Sequence, residues 1–112
     1  MNVTALPFLV RHDRIVATWQ PGDWPAGVLT GYREGDDFVL EHVIVFGGAP
    51  PTALMTMLRA GIEQAWALGC QRIRWHVPHR FAGAKALGEV GRRLGFHMER
   101  SDDTMAYYVR AR

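Results

Sequence analysis

With a single cysteine, Cys70, the chain cannot close an internal disulfide, and that usage fits a reducing compartment. Long apolar runs are missing too, so no bilayer-spanning segment and no membrane partner are expected. The N-terminus has no charged stretch leading into an apolar core, which excludes a signal peptide of the usual kind and makes a cytoplasmic location the default. Blocks of like charge are absent. The 13 basic residues, nearly all arginine, are intermixed with 11 acidic ones for a net charge of +2. A polyanion binder shows a basic stripe, so nucleic acid is not an expected partner. There are no repeats and no low-complexity tract.

What is present is a core. Apolar residues make up 48% of 112 residues, with 4 Trp, 5 Phe and 3 Tyr. That is enough for one domain, taken as 1–112, and too little for two.

The first half reads as strands. Arg14 to Trp19 is β-rich and closes on the turn residues Gln20-Pro21-Gly22-Asp23. Gly27 to Arg33 is a second run, and Glu34-Gly35-Asp36-Asp37 turns it into Phe38–Phe46. The end of that third run, Val43-Ile44-Val45-Phe46, is apolar on both faces, as a central strand should be. Pro7 demotes whatever precedes Arg14 to an edge.

Gly47-Gly48-Ala49-Pro50-Pro51 breaks the strand. Leu54, Leu58, Ile62, Ala65 and Trp66 then recur at helical spacing, predicting a helix from Thr52, its expected N-cap, to Leu68, with Gly69 ending it. From Arg72 to Val77 the pattern alternates: Ile73, Trp75 and Val77 on one face, Arg72, Arg74 and His76 on the other. A second helix is expected over Gly83–Leu94, despite Gly83, Gly88 and Gly91, each costing about 1 kcal/mol relative to Ala. Phe96–Arg100 and Met105–Val109 read as a closing hairpin. The fold class is therefore α/β: a mixed, mainly antiparallel sheet with a central parallel strand pair, joined by a right-handed crossover helix, and two helices in all.

That order of elements, the central strand running into a glycine-bearing loop and helix, and the Leu94-Gly95-Phe96 step resemble the GNAT (N-acetyltransferase-like) superfamily, over about Arg14 to Val109. The resemblance implies an acyl-CoA N-acyltransferase fold and acetyl-CoA as cofactor, with transfer of an acetyl group to a primary amine. It places the cofactor against Val45, Gly47, Gly48, Ala49, Thr52 and Ala53. There, free backbone N–H groups and the positive end of a helix dipole would attract the pyrophosphate. The chain departs from the family in three respects. The loop has no Arg or Gln, and Pro50 and Pro51 remove two donors. Gly91 stands where many members carry a tyrosine that acts as general acid. Helices that usually wall the acceptor site have no room before Arg14.

Glu41 and His42 lie on the central strand beside the expected acyl group. Either could take the proton of an attacking amine; strand alternation expects them on opposite faces. The alternative is a catalytically inactive structural or interaction module, of the kind found among tailed-phage and virion-associated proteins. Its partner would be a protein, and the chain could form a homo-oligomer or part of a larger assembly. His76 and His79, spaced H-x-x-H, lack a third ligand, so no metal is expected. Arg72, Arg74 and His76, with Arg92 and Arg93, are a candidate anion site or simply solvated side chains. Cys70 reads as buried and inert, and Trp24 as a candidate interface anchor.

Overall fold

A computed structural model describes residues 14–20, 26–45, 51–81 and 83–112. Trp24, His12 and the loop Gly47–Pro50 lie outside the described residues, and so do the readings that rest on them. The elements follow the expected order: β1 (Ile15–Trp19), β2 (Gly27–Glu34), β3 (Asp37–Val45), α1 (Pro51–Ala67), β4 (Arg72–Pro78), α2 (Ala84–Arg93), β5 (His97–Ser101) and β6 (Met105–Ala111). The strands form one sheet in the order β1-β2-β3-β4-β6-β5, in which the β3–β4 pair alone is parallel.

α1 begins one residue earlier than its sequence pattern suggests. Pro51 opens it, and Thr52 is not the cap but lies in the first turn, where its carbonyl accepts the Thr56 hydroxyl at 2.9 Å. Proline suits that place, because its fixed φ matches the helix and its missing N–H would be unpaired there anyway. Gly69 and Gly95, with φ of 81° and 90°, turn the chain out of the two helices.

Both helices cover one face of the sheet. A Cβ on Gly61 of α1 would touch Leu29 and Leu40, and one on Gly91 of α2 would touch Trp75. Leu40 and Trp75 are register partners in the parallel pair and so share a face. Under the helices lie Leu29, Phe38, Leu40, Met57, Leu58, Ile62, Ile73 and Trp75, with Phe96 and Tyr108 beyond. Cys70 is fully buried at the entry to β4, as an apolar filler.

The glycines of α2 have a packing reason. A Cβ on Gly88 would fall 2.6 Å from the Tyr108 hydroxyl oxygen, and one on Gly91 would fall 3.0 Å from the Trp75 ring. Losing helix propensity lets two large rings lie against the helix backbone. Trp75 is 2% exposed and meets Phe96 edge-on, with centroids 5.7 Å apart.

Trp66 departs from the expected burial. It is half-buried at the end of α1, with the guanidinium groups of Arg110 and Arg112 5.8 and 5.7 Å from its ring. It packs against the edge of the core and leaves part of its ring to these cations. Met57, outside the expected stripe, is buried in its place. Trp75→Ala is expected to cost about 3–5 kcal/mol, and Trp66→Ala about 1–2 kcal/mol, in denaturant unfolding. Equal losses would mean that the two rings are equally enclosed.

Candidate functional site: the cleft between β3 and β4

The parallel ladder is short. Asp37, Phe38, Val39 and Leu40 pair with Arg72, Ile73, Arg74 and Trp75, and pairing stops there. Beyond that point β3 runs with β2, from His42↔Thr30 to Val45↔Gly27. β4 runs with β6, from His76↔Tyr107 to Pro78↔Met105. The two central strands therefore diverge at their C-terminal ends. A cleft of about 360 Å³ opens between them, walled by Glu41, His42 and Ile44 on one side and His76 and Val77 on the other, with Phe81 near its mouth. Phe81 is 42% exposed.

Ion pairs hold the closed end. Arg72 makes a two-pronged contact with Asp37, Nε to Oδ1 at 3.1 Å and Nη2 to Oδ2 at 2.8 Å. Arg74 reaches Glu34 at 3.0 Å, and its Nε lies 2.9 Å from Asp37 Oδ2 but off the N–H direction, so that contact is electrostatic. The hydrogen bond from Arg72, against some desolvation and with the charge of both arginines, lowers the Asp37 pKa. Arg72 and Arg74 are thus engaged with acids on the face away from the helices. Arg92 and Arg93 project from α2 on the other side, so the structure does not assemble the five basic residues into an anion site.

A register shift in the β2–β3 ladder governs the open end. Thr30 pairs with His42 and Gly31 with Leu40, leaving Glu41 as the extra residue of a β-bulge. The expected alternation between Glu41 and His42 fails for that reason. His42 shares the face of its partner Thr30. Glu41 bonds Arg14 at 3.0 Å, and the Arg14 guanidinium lies 4.4 Å from the Tyr32 ring centre on that same face. Both candidate bases therefore line one cleft, away from the helices. The bulge is braced by Thr30, 1% exposed, whose hydroxyl accepts the His42 N–H at 3.1 Å. The Glu41 carboxylate is half-buried in its ion pair, whereas the His42 side chain is exposed.

His76 was not singled out as a base by its sequence, where it reads as one of a solvated row or half of a metal pair. The structure sends the two histidines apart. His79 Nε2 lies 3.0 Å from the Ser101 hydroxyl and 2.9 Å from the Asp102 carbonyl at the hairpin turn. His76 packs edge-on against Tyr107, with centroids 4.7 Å apart, and faces the cleft. Burial first, then the charges of Arg74 and Arg100, pushes its pKa below the usual histidine value, against a smaller opposing effect of Glu99. The signal available in sequence was its place one residue past Trp75, where β4 would leave its parallel partner.

The expected cofactor wall is partly described. Val45 is exposed at the end of β3. Thr52 is exposed and Ala53 buried in the first turn of α1, which carries no acidic side chain to compete for its free N–H groups. Gly47, Gly48 and Ala49 lie outside the described residues. Among the described residues, the edges of β3 and β4 that face the cleft have no partner strand past Leu40 and Trp75, so an extended amide-bearing ligand could add there as a strand does. These features fit the pantetheine arm and phosphates of an acyl-CoA. Among the described residues, no helix is long and apolar enough to cross a membrane, and no three His, Cys, Asp or Glu residues are grouped to hold a metal.

No protein-family model and no curated protein sequence matches the chain. Solved structures do. A PaiA N-acetyltransferase from Thermoplasma acidophilum, in complex with coenzyme A, superposes with a TM-score of 0.67 at 12% identity, over 79% of this chain and 54% of that one. An IAA acetyltransferase from Bacillus cereus gives 0.71 at 11% identity, over 85% and 75% of the two chains. A Bacillus subtilis acetyltransferase in complex with CoA gives 0.69 at 14%, over 85% and 74%. The chain spans about half the length of the Thermoplasma enzyme. The fold is GNAT-like, with the mixed sheet and parallel strand pair of the acyl-CoA N-acyltransferases.

Two outcomes are expected from this geometry. Thr30→Val keeps the shape but leaves the His42 N–H unmet, and should lower unfolding free energy by about 1–3 kcal/mol. The Asp37 carboxylate is stabilised in the folded state, so its contribution is complete above the unfolded value of 3.8 and is lost as pH falls through the lower folded value. Asp37→Asn should therefore flatten the acid side of the stability–pH curve, measured by denaturant midpoints at neutral and acid pH. An unchanged acid limb would remove Asp37 as its source.

Proposed function

We propose that this chain is an acyl-CoA-dependent N-acyltransferase that transfers an acetyl group to a primary amine. The observation that supports this most is the divergence of β3 and β4 just past Leu40↔Trp75, which opens a cleft beside unpartnered strand edges. Acetyl-CoA would supply an activated thioester carbonyl. Val45 and the first-turn amides of Thr52 and Ala53, with the backbone of Gly47, Gly48 and Ala49, would hold the cofactor. That loop contains no basic side chain, so its affinity for phosphate must come from N–H groups. Glu41 and His42 are the candidates on β3 for receiving the amine proton. Glu41 must first loosen from Arg14, while His42 is exposed at the cleft and free of that pair. The acceptor would be a primary amine that reaches this cleft, and the protein would work in the cytoplasm.

A second reading is supported by one feature. The place of the family's helix tyrosine is Gly91, and a side chain there would meet the Trp75 ring. The core is packed for a glycine there and not for a tyrosine acid, which suits a GNAT-like module that has left catalysis and binds a protein partner.

Calorimetric titration with acetyl-CoA separates the two. The enzyme reading expects micromolar binding by the full chain, and Gly48→Val, which adds a side chain where phosphate must approach the backbone, should weaken it at least tenfold without unfolding the protein. Equal titrations for the two proteins, or no heat from either at millimolar ligand, favour the module.

A further inference from the structure

Where the parallel ladder ends, the first unpartnered position is Glu41 on β3 and His76 on β4. Among the residues lining the cleft, the ionisable side chains are Tyr32, Glu41, His42 and His76. Glu41 is tied to Arg14, and His42, on the same cleft wall, is exposed. His76 differs from both. It is half-buried, its ring plane is set by the edge-on contact with Tyr107, and Tyr107 is itself anchored by donating its hydroxyl to Asp102 Oδ2 at 2.9 Å. The Arg100 guanidinium, 3.7 Å from the Tyr107 ring centre, backs the same group from β5.

Building on the acyltransferase reading, we propose that His76 is the catalytic base: an imidazole nitrogen in the cleft receives the proton that the acceptor amine gives up. The amine nitrogen forms the new C–N bond with the thioester carbonyl carbon, the C–S bond breaks, and its electron pair leaves on sulfur. One N–H proton passes to His76 and from the imidazolium to the thiolate. Amine and thioester enter, amide and thiol leave, and the imidazole ends neutral. The second transfer gives the leaving sulfur a proton without a tyrosine at Gly91.

The surroundings suit a base that must be neutral before reaction. Arg74 on the same strand and Arg100 on β5 oppose a positive charge on the ring; Glu99 on β5 favours one more weakly. Tyr107 on β6 contributes a ring edge, and Glu41 and His42 face it from β3. Burial and the two arginines favour the neutral ring, the form that can accept a proton.

The test uses the full chain, acetyl-CoA as donor and n-propylamine and benzylamine as acceptors, with thiol release followed between about pH 5 and 9. The wild type is expected to gain activity along an acid limb centred below the ordinary histidine value. His76→Gln should lose about 100-fold or more in kcat/KM together with that limb, while acetyl-CoA affinity by calorimetry is unchanged. In the wild type, the His76 ring-proton resonances should titrate below a free histidine and shift when CoA is added; this readout holds even if the variant does not fold. The proposal is overturned if His76→Gln keeps the wild-type rate and limb, if the limb disappears in Glu41→Gln or His42→Gln instead, or if the His76 resonances ignore CoA. A wild type that binds acetyl-CoA yet transfers to neither amine also overturns it and leaves cofactor binding standing. Failure to bind acetyl-CoA at all removes the acyltransferase reading itself.

Discussion

Everything distinctive in this protein depends on a parallel ladder of four residue pairs, Asp37–Leu40 with Arg72–Trp75. At one end Arg72 and Arg74 bind Asp37 and Glu34 and brace the paired strands. At the other end β3 keeps its pairing with β2 and β4 its pairing with β6, which run along both strands, while their pairing with each other has stopped. A sheet that is continuous at one edge and split at the other must open between them. The cleft is therefore a product of strand pairing, and no side chain has to be removed from the core to make room for it.

The bulge at Glu41 sharpens this effect. An extra residue bends and twists the strand that carries it, and it puts two neighbouring side chains on one face. Thr30 makes the irregularity tolerable by supplying an acceptor to the His42 amide. The same step turns the Glu41 carboxylate toward Arg14 and Tyr32. The ion pair and cation–π contact that follow tie β1, β2 and β3 together on the face opposite the helices.

On the helix face the constraint is steric. Trp75 and Tyr108 are large rings on adjacent strands, and α2 can lie over them because Gly88 and Gly91 present no side chain. The residue count of α2 looked unfavourable for a helix, and burial of two aromatic rings outweighs it. The same packing disfavours any side chain at Gly91, whose Cβ would already lie 3.0 Å from the Trp75 ring.

Element order and most boundaries were legible in sequence because periodicity and turn residues are local signals. Ile73, Trp75 and Val77 alternate with Arg72, Arg74 and His76 whatever surrounds them, and Gly69 and Gly95 mark helix ends by their own backbone freedom. The family resemblance rested on that order too, and the superposed structures agree with it. Other properties were settled only by tertiary structure. The bulge that brings Glu41 and His42 onto one face depends on how β2 and β3 register, and registers are set between strands, not within them. Trp66 sits on an apolar stripe, yet it is only half-buried at the edge of the core. His76 looks like the third member of a solvated row; only the departure of β3 turns its position into a cleft wall, where burial, Arg74 and Arg100 lower its pKa. The sequence by itself determined the kind and order of the elements and, where a strand runs regularly, which residues share a side. Where neighbouring elements part company, and so where a ligand can enter, was decided by long-range pairing that no local pattern records.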